Sequence, residues 1–273
     1  MTRLDISICT YGAEGIARLA GRTLPRIDGV RYVVSWQNHG DIPVPVALDA
    51  REDVDVYRCS SVGLSNNRNN ALECSRSDFV MISDDDVEYS AEGIESMMGY
   101  VDSHPSTAVF TFILERSGTP VYPACETVLE GRYPKGYRVC SCEMVVRKSL
   151  LGDLRFHPDF GINSPDMHAG EDELFHLTAM RRGLECRFAP ILIGRHPHAH
   201  TGFGKKMSAK VLRAQGCVAT LLYPRSFMPR LLLKTWRLKK HGQSGIFKSL
   251  IYLSSGAIRA FKLLHTDRAR LWP

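Results

Sequence analysis

The chain has 273 residues, 44% hydrophobic and 23% charged, enough to bury a sizeable core and better suited to one large domain with an appendage than to two equal ones. No stretch approaches the roughly 20 uninterrupted apolar residues of a spanning helix, and Met1 to Cys9 carries one basic residue and a short strand-like run rather than the apolar core of a signal peptide. A membrane-spanning protein is thereby excluded and a cytoplasmic one expected. The 35 Lys plus Arg and 29 Asp plus Glu are unevenly spread: residues 205–273 hold 15 basic groups and the single acid Asp267, a charge of +14, leaving 20 basic and 28 acidic groups, −8, for the rest.

In chain order, Leu4 to Cys9 is β-rich, Gly12 to Leu19 reads as the start of a helix, and Val30 to Ser35 as a second strand, a β-α-β opening. A strand at Val54 to Tyr57, a helix at Ser65 to Cys74 and the apolar strand Phe79 to Ile82 continue the alternation. A helix (Ala91 to Val101), a strand (Ala108 to Leu114), a Pro/Gly/Tyr-rich loop (Ser117 to Gly136) and a strand (Val139 to Arg147) follow. Next come a loop (Asp159 to Ala169), a helix (Glu171 to Arg182), a strand from Glu185 to Ile193 ending at His196, and three helices from Lys206 onward. The alternation predicts an α/β fold with a mostly parallel, Rossmann-like sheet, helices on both faces and a helical C-terminal extension. Ligands of such sheets bind beyond the carboxyl ends of the strands. The eight cysteines contain no C-x-x-C pair and read as free thiols; Cys140 and Cys142, two apart in a strand-like run, share a face and have no assigned role.

Three constellations fall where ligands are expected. Asp84, Asp85 and Asp86 follow the strand Phe79 to Ile82. Adjacent carboxylates repel, so a cation is expected among them, and Mg²⁺ or Mn²⁺ suits carboxylate oxygens completed by phosphate and water. In an extended chain Asp84 and Asp86 point one way, toward metal and nucleotide, while Asp85 faces the other; the whole triplet is assigned to the nucleotide-sugar site. Glu171 and Asp172 open a helix, where acids are favoured by the dipole, and Asp172 is the candidate general base. His196, His198 and His200 alternate after a strand, so any of the three can contact the metal; His198 is preferred. Gly63 to Ala71 is a loop-to-helix segment with Arg68 and several amides near a helix N-terminus, suited to an anionic or base-bearing ligand.

Together these segments resemble the family 2 glycosyltransferases with a GT-A fold. The resemblance covers roughly residues 4–200 and rests on Ile6-Ser7-Ile8-Cys9-Thr10-Tyr11, on Gly63-Leu64-Ser65 followed by Arg68-Asn69, on the aspartate triplet in place of Asp-x-Asp, and on Gly170-Glu171-Asp172 in place of Glu-Asp. It implies a metal-dependent, inverting transfer from a nucleoside diphosphate sugar to an acceptor hydroxyl. Thr10, Tyr11 and Arg68 would line the nucleotide, Asp84 the ribose or metal, Asp86 the metal, and Asp172 would be the base beside Glu171. The sequence departs from the family after the second strand, where Ser35-Trp36-Gln37-Asn38 replaces the usual Asp-Asp-Gly-Ser-like turn. Gln37 can hydrogen-bond a base and Trp36 can stack on one, and neither fixes the nucleotide; a UDP-sugar is the favoured donor.

The C-terminal segments from Met228 and from Ile246 mix Leu, Ile, Phe and Trp with Lys and Arg at near-helical spacing. Residues 225–273 are therefore read either as a peripheral anchor on an anionic, cytoplasmic membrane face or as a helical cap packed on the body. The boundary falls between a catalytic part, residues 1–204, and a basic extension, residues 205–273. The expected acceptor is a saccharide or lipid-linked saccharide of cell-envelope polysaccharide assembly, and nucleic acid is not an expected partner. The competing readings are a nucleotidyltransferase and a non-catalytic nucleotide-sugar-binding protein on the same fold.

Overall fold

The computed structural model describes residues 3–116, 120–196 and 206–266. In chain order the elements are β1 (Leu4–Tyr11), α1 (Gly12–Ala20), β2 (Val30–Gln37), α2 (Val46–Asp49), β3 (Val54–Cys59), α3 (Leu64–Cys74), β4 (Phe79–Asp84), β5 (Glu88–Tyr89), α4 (Ala91–Asp102), β6 (Thr107–Arg116) and β7 (Thr127–Val128). A single 3-10 turn (Ser141–Glu143) leads into β8 (Met144–Arg147), α5 (Lys148–Leu151), α6 (Glu171–Arg181), β9 (Glu185–His196), α7 (Ala209–Leu222), α8 (Phe227–Lys240) and α9 (Ile246–Thr266).

The strands form one mixed sheet in the order β3-β2-β1-β4-β8-β6-β9-β5, with β7 also paired to β9. The long ladders are parallel: β1 runs beside β2 from Leu4–Val30 to Tyr11–Gln37, and beside β4 from Leu4–Phe79 to Cys9–Asp84. Strand β8 is antiparallel to both β4 and β6, and β9 is parallel to β6. Two reversals restore the direction, so β1, β2, β4, β6 and β9 all deliver their carboxyl ends to the same edge. The first seven residues of β1 are buried in succession, as expected of a strand covered on both faces. One face is sealed by Ile16 and Leu19 of α1 with Ile94 and Met97 of α4. The other is sealed by Leu72 of α3, Leu174 and Leu177 of α6, and Cys217 and Leu221 of α7.

The buried Asp5 in β1 shows how a polar residue is accommodated in that core. Its carboxylate accepts hydrogen bonds from Arg31 Nη2 at 2.9 Å and from the backbone N–H groups of Arg76 at 2.6 Å and Ser77 at 3.0 Å. Burial opposes its charge, but Arg31 and the two N–H groups more than offset this and hold its titration below the usual carboxylate range.

The predicted strand Val139 to Arg147 is shorter than expected. Its first half is interrupted by the 3-10 turn, which buries Glu143 against Tyr122 and Arg116 and presents the Ser141 N–H to Asp172. Cys140 and Cys142 therefore do not lie on one face of a regular strand; all eight cysteines are free thiols.

The three C-terminal helices are docked on the sheet domain. Ser208 caps α7 by accepting from the Val211 N–H at 3.2 Å, and α7 places Ala214, Cys217, Val218 and Leu221 in the same core as α6, joined there by Ala260 and Leu263 of α9. Helices α7 and α9 cross at Gly216 and Gly256: a Cβ at either would lie far inside van der Waals contact of the other helix's backbone. Arg213 pairs with Asp166 at 2.5 Å, and Arg259 pairs with Asp159. On the outer side, Met228, Leu232, Leu233 and Trp236 of α8 and Phe247, Ile251, Ile258 and Phe261 of α9 remain exposed. Among the described residues no helix is long and apolar enough to cross a membrane.

Candidate active site

The carboxyl edge of the sheet opens into a cavity of about 270 Å³. Strand β1 contributes Cys9, Thr10 and Tyr11, β2 contributes Gln37, and α3 contributes Leu64 and Asn67. The aspartate triplet follows β4, His196 ends β9, and Ile162 and Asn163 close the cavity from the loop before α6. Sequence-predicted residues from four separate strands thus meet in one place.

The triplet is divided by its partners. Asp84 Oδ1 accepts from Arg68 Nη2 at 3.3 Å. Asp86 Oδ1 lies 3.2 Å from His196 Nε2, and although burial opposes its charge, this bond keeps the Asp86 carboxyl below its usual range. Asp85 turns toward α1, where it accepts from Thr10 Oγ1 at 2.6 Å and Arg18 Nη1 at 2.7 Å; burial nonetheless pushes its titration up. The alternation expected of an extended chain is kept. Gly15 permits this approach, since a Cβ there would meet Thr10 Oγ1 and Asp85 Oδ2.

Arg68 lies beneath the cavity rather than on its wall and is only 2% exposed. Its Nη1 donates to Glu171 Oε1 at 3.0 Å and Asp172 Oδ1 at 2.7 Å while Nη2 reaches Asp84, so one guanidinium joins both acidic motifs. Burial disfavours that charge, but the three carboxylates outweigh it and the guanidinium is held above its ordinary pKa. Glu171 shares this enclosure, and burial together with the Asp172 charge pushes its carboxyl up to about 7. Asp172 is partly open to solvent; its Oδ2 accepts from the Ser141 N–H at 3.1 Å, which fixes the carboxylate against the 3-10 turn.

Tyr11 stands at the cavity mouth, 49% exposed. Gln37 lines the wall and donates from Nε2 to the Gly63 carbonyl at 3.1 Å. Trp36 corrects an expectation: it is wholly buried with its indole N–H on the Gly12 carbonyl at 2.9 Å, so it cannot stack on a base. The preferred His198, like His200, lies outside the described residues; of the alternating histidines, His196 is the one found beside the triplet.

Two features are not assigned individually from the sequence, one of them within the amide-rich segment Gly63 to Ala71. Asn67 lines the cavity with a buried Oδ1 that has no partner among the described residues, an acceptor available to a ligand. Glu143, wholly buried, accepts from Tyr122 at 2.6 Å and pairs with Arg116 at 3.3 Å; burial pushes its carboxyl up to about 7. Nothing in the sequence distinguishes Glu143 from any acid at a strand end.

Among the described residues no group of three His, Cys, Asp or Glu side chains is arranged to hold a metal on its own. Asp84 and Asp86 facing one cavity are instead the donor set that Mg²⁺ or Mn²⁺ takes when substrate phosphates and water complete its shell. The residues fit such an ion.

Residues 41–149 match the model of the family described as Glycosyl transferase family 2. Over these residues the chain resembles a Glycosyl transferase family 2 domain. The matched region includes α3 and the aspartate triplet; β1 and the Glu171–Asp172 pair lie outside it. Comparison with curated proteins returns no match. Among solved structures the chain is similar to S. aureus TarS 1-349 in complex with UDP-GlcNAc, with a TM-score of 0.60 and 15% identity over 98% of this chain and 88% of that one. The complex of TarS 1-349 with UDP gives 0.54 and 18% over 80% of this chain, and S. aureus TarS gives 0.56 and 16% over 89%. The chain spans 65% of the UDP complex chain and 44% of the longer TarS chain. The likeness shows a GT-A type fold.

Proposed function

We propose that the chain is an inverting glycosyltransferase that moves a sugar from a nucleoside diphosphate sugar, with UDP-sugars preferred, to an acceptor hydroxyl. The observation that carries this reading is the joining of the aspartate triplet to Glu171 and Asp172 through the buried Arg68, at the carboxyl edge of a GT-A type sheet. The preference for UDP draws on the similar TarS structures, which contain UDP and UDP-GlcNAc.

In this reading Tyr11 stacks on the nucleotide base, Gln37 and Asn67 meet its polar edge, and Thr10 with Asp85 holds the floor of the site. Asp84 and Asp86, with His196 beside Asp86, would hold Mg²⁺ or Mn²⁺. Such an ion, when bound, supplies positive charge against the leaving diphosphate. Asp172 accepts the acceptor hydroxyl proton as that oxygen bonds to the anomeric carbon. The bond from that carbon to the diphosphate breaks in the same displacement, and the configuration inverts. Arg68 and the Ser141 N–H keep the Asp172 carboxylate oriented, while Glu171 shares the Arg68 Nη1 with it and Nη2 goes to Asp84.

The proposed acceptor is a saccharide or lipid-linked saccharide of cell-envelope polysaccharide assembly. Residues 1–204 form the catalytic part, and the basic extension 205–273 brings it to an anionic membrane surface. The exposed apolar residues of α8 and α9, interspersed with Lys and Arg, support that attachment. A nucleotidyltransferase is disfavoured by Thr10 to Glu14, which has no basic residue for a phosphate loop.

The test is consumption of UDP-, GDP- and dTDP-sugars with Mn²⁺ or Mg²⁺ and then with EDTA. Release of UDP from one donor, lost in EDTA, is expected; failure of every nucleoside diphosphate to bind would overturn the reading. For the attachment, flotation with anionic vesicles should be lost in a Trp236→Glu, Phe247→Glu variant; equal flotation of this variant and wild type contradicts it.

A further inference from the structure

A second cavity, of about 850 Å³, lies between residues 132–138, the first turn of α6, and helices α7 and α8. It shares no lining residue with the cavity at the aspartate triplet. Six of its lining residues are basic: Arg132, Lys135 and Arg138 from the loop, and Arg230, Lys234 and Arg237 from α8. Glu173 is the one acid among its lining residues. None of the six basic residues lies in an ion pair among the described residues, whereas Arg31, Arg51, Arg187 and Arg213 elsewhere each hold a carboxylate.

Like charges gathered around a concave surface raise its potential and repel one another unless an anion enters. Lys234 registers this: burial, and then Arg138, push its ammonium down to about 8, with Glu173 opposing only in part. The volume suits a phosphorylated saccharide unit. The cleft borders the first turn of α6: Gly170 and Glu173 line it, while Asp172, between them in the chain, turns its carboxylate to Arg68 and Ser141. Its lining is separate from that of the cavity at the aspartate triplet, so an acceptor anchored in this cleft would extend past the first turn of α6 to reach the proposed base.

Resting on the transferase reading above, we infer that this basic cleft is the acceptor subsite and that it binds phosphate groups carried by the acceptor next to the hydroxyl that is glycosylated. The phosphate can belong to a lipid diphosphate or to a soluble phosphodiester-linked glycan; both present the same anionic oxygens to Arg and Lys.

The experiment titrates inorganic pyrophosphate into the full chain by calorimetry with UDP and Mg²⁺ in excess. Pyrophosphate is expected to bind alongside UDP, more weakly as salt rises. A variant combining Arg138→Glu, Lys234→Glu and Arg237→Glu should lose at least tenfold in pyrophosphate affinity while its UDP affinity stays within twofold. Lys234→Gln alone should give a smaller loss in the same direction. Binding to vesicles containing polyprenyl diphosphate, against binding to a soluble phosphodiester oligosaccharide, then names the source. Pyrophosphate that displaces UDP, or binds the triple variant as tightly as wild type, overturns the inference. Failure of UDP itself to bind counts against the donor reading and is read in a separate titration.

Discussion

Removing the charge of Arg68 while keeping its length, as in Arg68→Met, tests the electrostatic account of the site. The guanidinium is the shared partner of Asp84, Glu171 and Asp172, at 3.3, 3.0 and 2.7 Å. Taking one partner from a buried ion pair leaves an uncompensated charge and costs about 3–5 kcal/mol. That range applies at pH 8, where the carboxylates are charged and repel one another. At pH 5 the cost is smaller: Glu171, which titrates at about 7 even beside Arg68, is already neutral. Urea unfolding of wild type and variant at both pH values should give a difference of about 3–5 kcal/mol at pH 8 that falls by at least about 1 kcal/mol at pH 5. Arg68→Lys should recover little, since one ammonium cannot span three carboxylates as the planar fork does. A loss below about 1 kcal/mol at pH 8, or an equal loss at both pH values, would refute the reasoning.

Glu171→Gln probes the same enclosure with the opposite sign. The folded pKa of about 7 exceeds the ordinary glutamate value, so the wild-type fold holds the extra proton at low pH and loses stability as pH rises through that window. The glutamine variant has no such loss, so its stability relative to wild type should increase from pH 5 to pH 8 in urea titrations; a difference independent of pH would contradict the assigned burial. At the α7–α9 crossing, Gly256→Ala forces a methyl against the Arg213 carbonyl and should cost roughly 1–3 kcal/mol. Gly99→Ala, with open space around it in α4, should instead stabilise by up to about 1 kcal/mol; thermal melts of the pair reporting equal shifts would deny the close crossing.

Much of the fold was legible because its strands are buried on both faces. Leu4 to Cys9, Val30 to Ser35 and Phe79 to Ile82 are apolar enough to be recognised without partners, and their regular alternation with helices implied a common carboxyl edge. The two-residue strands β5 and β7 carry no such pattern; their extended form depends on pairing to β9. The turn at Ser141–Glu143 likewise follows from tertiary partners, Tyr122, Arg116 and Asp172, that no local pattern displays. In the site, carboxylates directly after a strand or opening a helix drew attention by position alone. What the sequence concealed was the pairing: Arg68 suggested a nucleotide contact, whereas it holds three acids together beneath the cavity. Trp36 suggested a stacking surface, but strand alternation directs it into the core. The basic cleft was invisible for a related reason, since its charges come from a loop and a helix about a hundred residues apart.

The central claim is that Asp172 takes the acceptor proton. Asp172→Asn keeps the shape of the side chain and removes the base, so transfer from a UDP-sugar should fall by about 10²–10⁴ in kcat while the affinity for UDP, measured by calorimetry, stays within a factor of about two. A variant that transfers sugar at the wild-type rate would contradict the account.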